Sequence, residues 1–175
     1  MRLKFNKLFV LSTLLMLCVT SSTLAQKAPK QMGEYDDWSA YVFTEGADNK
    51  VCYMVSQPKS EEGDYTQRGD VFALITHRPA ENSRNVFSYI AGYTYKPESE
   101  VTVSIGGQNF TLFTDGESAW TPDQATDNKL TDAIRRGNSV VVKGVSSRGT
   151  KTTDTFSLKG SSAAYKAISE ACGIK

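Results

Sequence analysis

The sequence predicts an all-β domain, a sandwich or barrel, with two short helices of which one is C-terminal. Three observations predict it. Short runs rich in β-branched and aromatic residues recur with turn residues between them. Gly106-Gly107 joins two alternating runs, and both turn positions can take positive φ. Only two stretches, 127–137 and 161–173, carry apolar residues at helical spacing. The composition of the 175 residues, 39% hydrophobic, 22% charged and 10% aromatic, excludes a disordered or collagen-like chain.

The elements follow in order. Met1–Lys7 carries three positive charges, Leu8–Val19 is apolar apart from Ser12 and Thr13, and Thr23-Leu24-Ala25 sets small residues just before Gln26. This order predicts a signal peptide over 1–25, with an apolar stretch shorter than the ~20 residues of a spanning helix. Cys18 belongs to this leader, because large Leu17 precedes it where lipidation wants a small residue. Residues 26–34 are polar and read as a flexible tether, leaving 35–175 as a single domain.

Trp38–Phe43 and Val51–Ser56 read as strands around a turn at Glu45–Asn49, and Glu61–Asp64 as a solvated loop. Asp70–His77 and Asn85–Tyr93 carry apolar residues on both faces, which predicts central strands covered on both sides. Val101–Ile105 and Gln108–Phe113 flank the Gly-Gly turn. Ser139–Ser146 and Thr150–Leu158 form a second pair around Ser147-Arg148-Gly149. The first helix is capped by Asp127 and closed by Gly137; the second runs from Ser161 to a stop at Gly173 and turns Cys172 inward. Trp38 and Trp120 are the expected core anchors.

Removing the leader leaves Cys52 and Cys172. An even count in an exported chain reads as a disulfide, and two cysteines this far apart with no histidine near make a poor metal site. Without Arg2, Lys4 and Lys7 the balance is 17 basic against 19 acidic residues, which excludes a nucleic-acid footprint. The single histidine, His77, excludes two-histidine metal sites. His77 is the one plausible general base, but no GxSxG motif accompanies it, and an unrecognised hydrolase using His77 stands behind the other readings. Arg135, Arg136, Lys143, Arg148 and Lys151 fall close together and read as solvated surface before an anion-attracting patch. Asn109-Phe110-Thr111 is a glycosylation pattern placed in a strand. Asp154 faces inward from its strand and needs a partner, Arg148 or a backbone N–H; alternatively Arg148, Gly149, Thr150 and Asp154 form an exposed hairpin that binds a polar ligand.

An ordered series of short pieces carries a family resemblance. They are Asp37-Trp38, Val51-Cys52-Tyr53, Ser56-Gln57-Pro58, Thr76-His77-Arg78-Pro79, Gly92-Tyr93, Phe110-Thr111-Leu112-Phe113 and Ala119-Trp120. The most specific run is Arg136-Gly137, Val142-Lys143-Gly144, Arg148-Gly149-Thr150, Asp154–Leu158 and Gly160, ending at Ala171-Cys172. From Trp38 to Cys172 the chain resembles the invasion-associated locus B family of bacterial envelope proteins. The resemblance implies an immunoglobulin-like β-sandwich, a periplasmic location that extends to the outer surface or medium, no enzymatic activity and no cofactor. Members linked to host invasion carry a further cysteine soon after the tryptophan, where Tyr41-Val42-Phe43 has none. The function expected is binding or structural support in the envelope, through an unknown protein or an envelope or host-surface partner. A host-cell adhesion or invasion factor is the alternative, and it would have to reach the outer face. No nucleic acid and no membrane span after signal cleavage are expected.

Overall fold

The computed structural model describes residues 28–46 and 48–175. The expected signal peptide and Cys18 lie outside the described residues. The strands are β1 (Lys30–Tyr35), β2 (Trp38–Glu45), β3 (Asn49–Ser56), β4 (Ser60–Gly63), β5 (Phe72–Arg78), β6 (Ser83–Ile90), β7 (Glu100–Ile105), β8 (Gln108–Asp115), β9 (Ser118–Trp120), β10 (Ser139–Val145) and β11 (Lys151–Ser157). The helices are α1 (Gln124–Arg136) and α2 (Ser161–Cys172). The expected all-β class with two helices, one C-terminal, is therefore the architecture found.

All strands join one antiparallel sheet in the order β1-β2-β3-β5-β6-β9-β8-β7-β10-β11-β4. Short β9 carries the ladder from β6 to β8, and the sheet folds over so that β2 and β6 face β11. Trp38 Nε1 donates to the Ser157 carbonyl at 3.1 Å, and the Tyr89 ring meets Phe156 edge-on at 6.2 Å. Between the layers lie Phe87, Leu112, Val142, Phe156 and their neighbours, all without solvent contact.

Both expected hairpins form. Gly106 and Gly107 take φ of 55° and 82° where Ile105 pairs with Gln108, and Gly149 takes 86° in the β10–β11 connection. Four expectations change. Residues 26–34 read as a tether, yet Lys30–Glu34 pair with β2 through a bulge, and Met32 packs on the core. An exposed, bulged edge strand needs little apolar sequence, which is why it reads as linker. The charged Glu61–Asp64 loop likewise contains β4, an exposed edge strand on β11. Trp38 is an anchor, 1% exposed, but Trp120 is only half-buried. Strand alternation explains this: Ala119 takes the inward position of β9 and turns Trp120 outward.

The fourth change is the start of α1. Asp123, not Asp127, caps it, accepting from Thr126 N at 2.7 Å. Asp127 is buried in the first turn, where its Oδ1 accepts from Phe87 N at 2.8 Å and from Thr121 Oγ1. β6 pairs with β9 only from Ser88 onward, so the edge before it lacks a strand. Asp127 takes the Phe87 donor, and Thr131 Oγ1 donates to the Asn85 carbonyl at 3.2 Å. α1 thus completes the sheet edge with side chains. Burial raises the Asp127 pKa, with the Asp123 charge adding to it and the two hydrogen bonds working against it.

At the other end, α2 lies on the inner side of β2, β3 and β5, and Cys172 is disulfide-bonded to Cys52 across 120 positions. Asp132 lies 3.4 Å from Arg135 and 3.7 Å from Arg136, and the Arg135 guanidinium stacks on Tyr165 at 4.2 Å. These two arginines are engaged at the helix end.

Candidate functional site

Three connections converge at one end of the folded sheet. The 64–71 segment precedes β5, the 91–99 segment follows β6, and the β10–β11 turn closes the group. They are tied by backbone hydrogen bonds, Gly69 N to the Gly92 carbonyl at 2.9 Å and Ser147 N to the Thr94 carbonyl at 2.8 Å. Gly92 is required at this junction. Its φ is +68°, and a Cβ there would stand 2.2 Å from the Gly69 oxygen. The turn holds itself through Ser146, whose N donates to the Thr150 carbonyl and whose Oγ accepts from Thr150 N at 3.1 Å.

Between these segments lies a cleft of about 900 Å³ lined from 64–69, 92–94, 146–148, Thr150 and Thr152. Hydroxyls, the Gln67 amide and the faces of Tyr65 and Tyr93 dominate it; no aliphatic side chain lines it. Arg68 forms its floor, 3% exposed. Its Nη1 and Nη2 donate to Asp154 Oδ1 and Oδ2 at 2.6 and 2.8 Å, its Nε donates to the Ala91 carbonyl at 2.7 Å, and Nη2 also reaches Tyr89 Oη at 3.1 Å. Tyr89 Oη in turn donates to Asp154 Oδ2. The guanidinium stands 5.0 Å from the centre of the Tyr93 ring and 5.5 Å from that of Tyr65. Burial opposes the charge on Arg68, but its hydrogen bonds to Asp154 and the neighbouring charges more than offset it, so its proton is held more firmly than on a free arginine. Burial, then the Asp154 charge, raises the Tyr89 pKa and keeps the phenol neutral.

Asp154 is therefore buried and paired, as one reading of the sequence requires, but its partner is Arg68 rather than Arg148 or a backbone N–H. Arg148 is exposed on the rim with Thr150. Among the described residues it joins none of the ion pairs. The structure splits the hairpin into a structural part, Asp154 with Thr150, whose N donates to Ser146 Oγ and whose Oγ1 donates to the Asp64 carbonyl at 3.4 Å, and an available part, Arg148. Arg68 escaped sequence reasoning because its partner lies 86 positions away. The one signal was an arginine beside Tyr65 and Gly69 in an otherwise polar loop.

His77 is not the polar strand-end residue its sequence position indicates. It has no solvent contact. Its Nδ1 accepts from Asn85 N at 3.0 Å, which leaves the ring proton on Nε2, 3.3 Å from Ser169 Oγ. A nitrogen that already carries its proton cannot take one from Ser169, so this pair is not poised as nucleophile and base. Burial, followed by the Arg84 charge, depresses the His77 pKa to about 4.

Among the described residues no group of three or more His, Cys, Asp or Glu could hold a metal ion, and no helix is long and apolar enough to cross a membrane. Residues 38–169 match the family model described as Invasion associated locus B (IalB) protein. No curated protein and no solved structure matches the chain.

Proposed function

The chain belongs to the invasion-associated locus B family, and from that premise we propose that it is an exported envelope protein that acts by non-covalent binding, not by catalysis, through the cleft beside Arg148. One observation carries this reading: a rigid, fully paired floor of Arg68 and Asp154 lies beneath a polar cleft whose rim offers Arg148 unpaired. A buried bidentate pair fixes the cleft's shape before anything binds, and preorganisation of that kind lowers the cost of association. The lining defines what fits. Hydroxyl and amide groups beside tyrosine faces suit a polar partner that carries an anionic group for Arg148, and the lack of aliphatic lining argues against an apolar cargo. The Cys52–Cys172 disulfide supports export, because such bonds persist in oxidising compartments such as the periplasm.

The test is capture from periplasmic extract with tagged wild-type chain and an Arg148→Glu variant. The expected result is a partner or ligand retained by the wild type and lost by the variant at an unchanged melting temperature. The same molecules retained by both chains would remove the cleft from the proposal.

A further inference from the structure

The cleft between the 64–71, 91–99 and 146–150 segments divides into a committed floor and an uncommitted wall. On the floor the polar groups satisfy one another: Arg68, Asp154 and Tyr89 are mutually bonded, and Tyr93 Oη and Thr152 Oγ1 share a hydrogen bond of 2.7 Å. On the wall, the side chains of Thr66, Gln67, Thr94, Ser147 and Arg148 are exposed and form no hydrogen bond among the described residues. They offer hydroxyls that both donate and accept, an amide that donates at one atom and accepts at the other, and a guanidinium that only donates. Tyr65 and Tyr93 are half-buried and line the same space. The Arg68 guanidinium lies against both, 5.5 Å from one ring centre and 5.0 Å from the other, so one buried side chain sets the spacing of the two rings. Charge is sparse: Asp64 and Arg148 are the lining's two charges outside any ion pair among the described residues, and they are opposite in sign.

We propose that the cleft binds an oligosaccharide that carries a carboxylate; this rests on the binding reading above and names its ligand class. A sugar ring has the matching chemistry. Its C–H groups are weakly positive and lie on the electron-rich face of a tyrosine, while its hydroxyls both donate and accept. Tyr65 and Tyr93 supply the faces, and the uncommitted hydroxyls, the Gln67 amide and the Asp64 carboxylate supply the partners. Arg148 supplies the charge, since a guanidinium fork receives a planar carboxylate through two parallel N–H···O bonds. Other classes fit less well. A nucleotide or polyphosphate would bring several negative charges to one free cation beside an acid. A peptide or lipid would find no aliphatic pocket for its apolar groups. The volume of about 900 Å³ lies near the upper end of the ~300–1,000 Å³ of small-ligand sites, so the cleft admits more than one sugar ring. Carboxylated sugars of this kind occur both in the bacterial cell wall and on the surfaces of other cells, and the test separates the two sources.

The test is amide chemical-shift titration of the isotope-labelled oxidised chain with matched acidic and neutral saccharides. N-acetylglucosaminyl-N-acetylmuramic acid with chitobiose represents the cell wall. Sialyllactose with lactose, and a hyaluronan tetrasaccharide with its carboxyl-reduced form, represent the surface of another cell. At least one acidic saccharide should shift the amides of 64–69, 92–94 and 146–150 and bind about tenfold or more tightly than its neutral counterpart. The pair that responds assigns the source. Arg148→Gln should erase the difference within that pair and leave the neutral affinity in place. Tyr65→Leu should weaken both members about fivefold, and Tyr65→Phe, which keeps the ring, should bind both as the wild type does. The proposal is overturned if no acidic saccharide shifts these amides, or if Arg148→Gln leaves the acidic preference intact. Failure of the wider reading is distinct. If no saccharide binds, yet periplasmic extract still yields a molecule that Arg148→Glu loses, the cleft binds an anion of another class and only the glycan assignment falls.

Discussion

The Asp154 carboxylate accepts from both terminal nitrogens of Arg68, at 2.6 and 2.8 Å, in a site with no solvent contact at the acid. Removing one partner of such a pair leaves the other charge buried and uncompensated, which costs about 3–5 kcal/mol. Asp154→Asn keeps the shape and part of the hydrogen bonding, so its expected loss is about 2–4 kcal/mol in urea unfolding. Replacing both partners, Arg68→Met with Asp154→Leu, should recover much of that loss. A wild-type unfolding midpoint for Asp154→Asn would show that the pair does not stabilise the fold.

How much of this was legible in the sequence follows from the range of each signal. The Gly106-Gly107 and 147–149 turns were legible because turn chemistry is local. Cys52–Cys172 was legible despite its separation, because setting Cys18 aside with the expected leader leaves two cysteines and one pairing. The Arg68–Asp154 pair was not, since nothing local selects one arginine over another as a partner. Asp127 misled for a related reason: an acid at a helix start has two uses, and only the missing strand beside Phe87 shows that this one completes a sheet edge. The outward face of β5 and β6 was expected to be covered, but α2 packs on the inner side and α1 at the β6 edge.

The two tryptophans should separate sharply. Trp38 is enclosed between the layers and donates to the Ser157 carbonyl, so Trp38→Ala should cost about 3–5 kcal/mol. Trp120 lies half-buried on the outer face, and Trp120→Ala should cost about 1 kcal/mol. Paired chemical denaturation curves measured at low protein concentration check both values. Equal losses would place Trp120 in the core after all.

The disulfide joins the C-terminal helix to β3 and closes a loop of 120 positions. A loop near that length stabilises by about 4–5 kcal/mol on the chain-entropy account. Non-reducing mass spectrometry of the exported chain should show a mass lower by the two thiol protons. The reduced chain should melt well below the oxidised one, with α2 losing amide protection before the central strands. Free thiols on Cys52 and Cys172 in the exported chain would overturn this.

His77 makes the fold sensitive to acid. Its folded pKa lies near 4 against an ordinary 6.5, because the buried ring resists charge. Above pH 6.5 the ring is neutral whether the chain is folded or unfolded, and the site contributes its full stability. Between pH 6.5 and 4 the unfolded chain takes up a proton that the folded chain refuses, so stability falls as pH falls through that window. The complete loss is on the order of 3 kcal/mol. His77→Gln keeps a polar side chain in the space but cannot titrate. It should start less stable at pH 7.5, because it replaces the contacts to Asn85 and Ser169 imperfectly. Its stability should then decline less steeply than that of the wild type down to pH 4, so that the two unfolding free energies converge. Urea titrations of both proteins at half-unit steps of pH measure this directly. Parallel pH profiles would mean that His77 is protonated in the folded chain.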